Sequence, residues 1–106
     1  MRIKRRFSKY RNNKVTVDGI KFDSQKEAGR WLQLKLLKVT DLQRQVKFPI
    51  VINDQKICKY VADFTYYKNG KLIVEDVKSE FTKKLPVYRL KKKLLKAVLG
   101  IEITEI

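Results

Sequence analysis

The feature that most limits what this chain can fold into is the dipeptide Asn69-Gly70, set between two apolar-rich runs. Asn-Gly accepts the two left-handed backbone conformations of a type I′ turn at little cost, and that turn has the twist two antiparallel strands require. Strands are therefore predicted over Ile57 to Tyr67 and Lys71 to Lys78. A two-residue loop also sets the register. Lys68 closes against Lys71, and counting outward places Asp63 opposite Asp76 and Val61 opposite Lys78. Asp76 and Lys78, two apart, share a face. Asp63, Asp76 and Lys78 are thus expected together on one side of a hairpin, with Glu75 on the other.

The remaining elements follow from the same kind of punctuation. Lys14 to Val17, Asp18-Gly19 and Ile20 to Phe22 read as a short hairpin. A helix is expected from Gln25 to Lys38, with Ser24 as N-cap and Glu27 three residues later completing a capping box. Its buried side is expected to be Ala28, Trp31, Leu32, Leu34 and Leu36 or Leu37. Leu42 to Ile52 is a strand that Pro49 places at an edge or at a bulge, and Asn53-Asp54-Gln55 is a turn. After a loop from Ser79 to Leu85, Pro86 opens a second helix that stops at Gly100. Its expected apolar stripe is Val87, Leu90, Leu94, Ala97 and Val98. Ile101 to Ile106 is a last strand. The order is ββαβββαβ, an α/β (α+β) class with a mixed central sheet flanked by two helices. Residues 1–13 form a basic N-terminal arm, and 14–106 a single domain.

Charge narrows the partner. Lys and Arg number 26 against 11 acids, a formal net charge of +15, which favours polyanions and nucleic acid foremost. The apolar fraction of 43% is enough for a core and excludes wholesale disorder. There is no histidine, which removes His-based general-base chemistry and His-ligated zinc. Any metal must then be a hard cation on oxygen ligands. Cys58 is the one cysteine and fits a reducing cytoplasm. No apolar run reaches the roughly 18 residues that span a bilayer, and no signal segment follows Met1 to Arg6, so no membrane partner is expected.

Two carboxylates directly opposed in a hairpin, with Cβ atoms about 4.5–5.5 Å apart, repel unless something positive sits between them. A divalent cation would serve, and a lysine beside two acids polarises a bound water. The plainer alternative is that Asp63 and Asp76 are exposed strand residues balanced by nearby lysines. Asp63, twelve residues, then Asp76-Val77-Lys78, on a hairpin and preceded by Glu27, resembles the PD-(D/E)XK nuclease superfamily. The segments VDGIKFDSQKEAGRWLQL, LQRQVKFPI, KYVADFTYYKNGKLIVEDVKS and YRLKKKLLK are similar to a small phage-encoded family within it. The middle portion is also similar to the endonuclease subunit of Tn7-like transposition systems. The resemblance spans Lys9 to Lys96.

The resemblance implies a restriction-endonuclease-like core and phosphodiester hydrolysis. Asp63 and Asp76 would ligate Mg²⁺ or Mn²⁺ with the Val77 carbonyl. Glu27 would reach the metal directly or through water, and Lys78 would orient or help deprotonate the attacking water. Ala62 stands where the superfamily has Pro, and Asp76 where it often has Glu. Glu27 has an equally good explanation as a cap, and Gln45 is either an accessory site residue or a solvent-facing one. Arg89, Lys92, Lys93 and Lys96 form a basic helical stripe expected to grip DNA phosphates, with Arg5 and Arg6 of the arm. Lys91 borders the stripe and could lean towards the site. The expected activity is a metal-dependent DNA endonuclease, structure-selective or recombination-related in the manner of Holliday junction resolvases. A homodimer is expected because a resolvase needs two sites. The alternatives are a non-catalytic DNA-binding or regulatory protein on a nuclease-like fold, or a nuclease subunit active only in a larger phage or transposition complex.

Overall fold

The computed structural model describes residues 14–106, so the expected basic arm with Arg5 and Arg6 lies outside the described residues. The described residues divide into two compact units, residues 14–36 and 37–106. In the first, β1 (Val15–Val17) and β2 (Ile20–Phe22) form an antiparallel hairpin. Asp18 and Gly19 both have positive φ, 51° and 78°, the backbone a type I′ turn demands. Helix α1 (Gln25–Leu37) follows. The Ser24 hydroxyl accepts from the Glu27 N–H at 3.1 Å, so Ser24 acts as the N-cap. Ala28 and Leu34 are buried as expected and Trp31 is half-buried, 6.0 Å from the Phe22 ring centroid. Leu32, Leu36 and Leu37 are exposed, against expectation.

The second unit is a four-stranded sheet in the order β3-β4-β5-β6. β3 (Thr40–Ile52) and β4 (Gln55–Lys68) are joined through Asn53 and Asp54, both at positive φ. β5 (Lys71–Asp76) returns through Asn69-Gly70, φ 53° and 76°. Lys68 pairs with Lys71 and Phe64 with Glu75, the register expected from the turn. β3 is an edge strand with a register shift at Ile50/Val51, one residue past Pro49, so Pro49 sits where its missing N–H costs little. After β5 come a short helix α2 (Glu80–Lys83), the longer α3 (Pro86–Leu99) and β6 (Ile103–Glu105). β6 pairs parallel to β5, which makes the sheet mixed and the chain α+β. The turn of helix at α2 is an addition to the expected order. Ser79 caps it by accepting from the Thr82 N–H at 3.1 Å.

The core of this unit is Ile50, Tyr60, Ala62, Val74, Tyr88, Leu95 and Ile103, with α3 packed on the sheet. The face α3 uses differs from the expected one. Tyr88 and Leu95, seven residues apart, are buried, while Val87, Leu90, Ala97 and Val98 are exposed and Leu94 is only half-buried. The helix is turned by about one residue, roughly 100°. Lys91 and Lys92 are half-buried on this turned face, which suits side chains that bury a stem and keep the charge in water. Gly100 ends the helix in the left-handed conformation, φ 70°, its N–H bonded to the Lys96 carbonyl at 2.9 Å. No helix among the described residues is long and apolar enough to cross a membrane.

The turned face gives a direct test. Leu95→Ala should lower the unfolding free energy by about 2–5 kcal/mol. Leu90→Ala, on the stripe the sequence favours, should change it by about 0.5 kcal/mol or less. Urea denaturation of both variants measures the difference, and equal losses would contradict the observed packing.

Candidate functional site

The regular ladder between β4 and β5 ends at the Phe64–Glu75 pair, and the next residues outward are Asp63 and Asp76. There the side chains take over the backbone's partners. The Asp63 N–H donates to Asp76 Oδ1 at 2.9 Å, and the Val77 N–H donates to Asp63 Oδ2 at 2.9 Å. Each carboxylate thus reaches across to the opposite strand. β5 stops at Asp76, two residues short of the expected end, where the Val77 amide turns to the Asp63 carboxylate.

Gln45 joins from β3. It lies between the pairs Arg44–Phe64 and Val46–Ala62 and so comes opposite Asp63, and its Nε2 donates to Asp63 Oδ1 at 3.3 Å. Its φ is +53°, an uncommon conformation for such a residue within a strand. On the other side, β6 places Glu105 opposite Asp76. A row of polar side chains, Gln45, Asp63, Asp76 and Glu105, therefore crosses all four strands.

Asp76 is fully buried and its Oδ2 has no hydrogen-bond partner among the described residues. Burial pushes its pKa up from 3.8 to about 6; Lys78 and the Asp63 N–H oppose the rise and Glu105 adds to it. Lys78 lies past the strand end, with its Nζ 5.0 Å from the Tyr88 ring centroid. A cleft of about 360 Å³ is lined by Lys78, Tyr88, Tyr60 and Val61 together with Lys59 and Lys91. Lys91, half-buried, shares that cleft with Lys78.

The basic stripe lines a second cleft of about 430 Å³, with Tyr88 as a wall of both. Its charges are unequal. Lys92 pairs with Glu105 at 3.2 Å and Lys96 with Glu102 at 3.0 Å. Arg89 and Lys93 are exposed and have no ion pair among the described residues. Hydrogen bonds from Tyr88 and Lys92 hold Glu105 below the usual carboxylate range, and Lys96 does the same for Glu102. Glu27 is buried in the first turn of α1, within the N-terminal unit.

Nothing in the sequence alone marks Glu105. A parallel strand pair is not closed by a tight turn, so no local signal fixes its register. Glu75, set aside from the sequence, is buried and accepts from the Tyr66 hydroxyl. The donor set is one a hard cation would accept. The buried Oδ2 of Asp76 has no hydrogen-bond partner among the described residues, and the Asp63 carboxylate and Val77 backbone belong to the same junction. Among the described residues no three acids group as a cage.

The fold and site define a mixed α+β protein with two carboxylates interlocked at the end of a hairpin. The chain belongs to the family described as "Protein of unknown function (DUF1064)", whose model matches residues 7–100. No curated protein and no solved structure gives a match.

Burial of Asp76 should be visible in stability. A carboxyl whose pKa rises on folding stabilises the fold while protonated. That contribution is complete below about pH 4 and is lost as pH climbs through about 6. Without divalent cations, Asp76→Asn should therefore gain on the wild type by roughly 3 kcal/mol between pH 4 and pH 7. Denaturant titrations across that range would show the gap widening with pH; a gap that is flat or narrows would contradict the assignment.

Proposed function

We propose that this chain is a metal-dependent endodeoxyribonuclease with a restriction-endonuclease-like core, hydrolysing phosphodiester bonds in DNA. The single observation that carries the reading is the Asp63–Asp76 junction, where a buried carboxylate oxygen lacks a partner beside a second carboxylate and near Lys78. Asp63, Asp76 and the Val77 carbonyl would hold Mg²⁺ or Mn²⁺. A bound cation would lower the pKa of the attacking water and neutralise charge on the attacking and leaving oxygens. Lys78 orients that water and steadies the charge that develops on the phosphate. Gln45 holds the Asp63 carboxylate in place through its amide.

Arg89 and Lys93 carry the phosphate contacts first, because their charge is not shared with a glutamate. Lys92, Lys96, Lys91 and the arm residues Arg5 and Arg6 add to the field. The proposed target is DNA recognised by shape, as in branched or recombination DNA, by a homodimer. A cytoplasmic location, or action within a larger phage or transposition complex, fits the same reading.

A second reading keeps the DNA binding without the cutting. It is favoured by the fact that Asp63 Oδ1, Asp63 Oδ2 and Asp76 Oδ1 already accept hydrogen bonds from the chain itself. The two readings separate on one assay. With Mg²⁺ or Mn²⁺ and supercoiled, linear, single-stranded or four-way-junction DNA, the wild type should cut at least one substrate. Asp76→Ala and Lys78→Ala should each reduce the rate by about a hundredfold or more. Metal-indifferent binding without cleavage would select the second reading, and cutting that survives both substitutions would remove this site from the reaction.

Phosphate contacts are measured separately. Each of Arg89→Ala and Lys93→Ala should reduce the slope of log binding constant against log salt by about 1. Lys96→Ala should reduce it by less, since Glu102 already offsets that charge.

A further inference from the structure

We infer that Tyr88 is a positioning residue for Lys78: its ring face holds the ammonium group beside Asp76, and Glu105 holds the ring. The inference deepens the proposed nuclease site and names a part of it that lies outside the hairpin.

Lys78 follows the last residue of β5 by two positions. It shares its cleft with Lys59 and Lys91, whose like charges would push a free ammonium outward. What opposes that push is the Tyr88 ring, 5.0 Å from Nζ to centroid, well inside the range at which an aromatic face attracts a cation. The Asp76 carboxylate attracts the same group, and the Lys78 charge in turn opposes the rise that burial imposes on Asp76.

The ring in turn is fixed on three sides. Its body is buried in the core of the unit, and Tyr60 packs at 6.4 Å with the planes tilted by 54°. Its hydroxyl donates to Glu105 Oε2 at 2.5 Å. Glu105 is anchored by Lys92 at 3.2 Å and by β6, which pairs it with Asp76. Burial and the Glu105 hydrogen bond push the Tyr88 phenol far above its ordinary value, so it stays protonated and serves as a donor rather than as an acid or base. The chain of contacts runs Lys92, Glu105, Tyr88, Lys78, and it joins the basic stripe to the catalytic candidate.

The test has two readouts. In metal-free, DNA-free protein, the Lys78 ε-CH₂ resonance, assigned by its loss in Lys78→Arg, should lie upfield of the other lysines because of the ring current of Tyr88. Tyr88→Phe, which loses the hydroxyl bond to Glu105, and Glu105→Ala should each reduce that displacement, and Tyr88→Leu should abolish it. A Lys78 resonance among the other lysines in the wild type, or one unmoved by Tyr88→Leu, would overturn the inference. If Tyr88→Leu does not fold, Glu105→Ala against Glu105→Gln decides, since glutamine still offers the hydroxyl an acceptor: displacement lost in the first and kept in the second supports the clamp, and the two behaving alike refutes it. The second readout is DNA cleavage, where Tyr88→Leu, or Glu105→Ala in its place, should lower kcat by about tenfold with KM changed by no more than about twofold. A loss in KM alone would place Tyr88 in substrate binding and overturn the positioning role. Ring-shifted Lys78 in a wild type that cuts no DNA would leave the clamp standing and remove the nuclease reading.

Discussion

The structure of the larger unit depends on the exchange of partners at the open end of the β4–β5 hairpin. A backbone ladder ends wherever its strands part, and its amides then need other acceptors. Here the acceptors are the carboxylates of Asp63 and Asp76, each bonded to an amide of the facing strand. The exchange closes the hairpin at the end opposite its turn and draws Asp76 wholly out of water. A carboxylate so placed is costly, and the cost concentrates on one oxygen that no described residue hydrogen-bonds. The acids in the same row are driven apart in acidity: Asp76 rises through burial, while Glu105 falls through its hydrogen bonds to Tyr88 and Lys92. Neighbouring carboxyls with opposed shifts are a recurring arrangement where acid–base or metal chemistry occurs.

Much of this was legible in the sequence because it is local. The type I′ turn at Asn69-Gly70 needs no tertiary information, and once it forms the pairs out to Phe64–Glu75 follow. The same holds for Ser24 capping α1 and Gly100 closing α3, each a matter of one residue's backbone or hydroxyl. Pro49 pointed to the edge strand for the equally local reason that it lacks an N–H. What was illegible is non-local. The apolar stripe of α3 that looks strongest in sequence has five members, yet Tyr88 and Leu95 are the residues buried with Tyr60, Val74 and Ile103. Periodicity counts apolar residues; it does not know which face a parallel strand will cover. Glu105 was hidden for the same reason, and the left-handed backbone of Gln45 has no signature in residue type.

The charge pattern also reads differently in three dimensions. As a stripe, Arg89, Lys92, Lys93 and Lys96 look equivalent. In the fold, two of them are matched to Glu102 and Glu105 on and beside β6. The Lys96–Glu102 pair is exposed and adds little to stability. The effect of the two pairs is to sort the stripe into cations committed to the protein and cations left for a polyanion. Lys92 belongs to the first group, and through Glu105 it ends up supporting Tyr88 rather than facing outward alone.

The irregularities of β3 have a consequence beyond the site. A long, flat border strand exposes a row of unused amides and carbonyls on which another polypeptide can add and propagate. β3 is thirteen residues long and lies at such a border, yet it carries Pro49, register shifts near both ends, and left-handed residues at Asp41 and Gln45. Each of these interrupts the even spacing a templating strand would need. The kink that brings the Gln45 amide to Asp63 thus also guards the margin of the sheet against fibril-like growth, and straightening β3 to relieve it would trade one hazard for another.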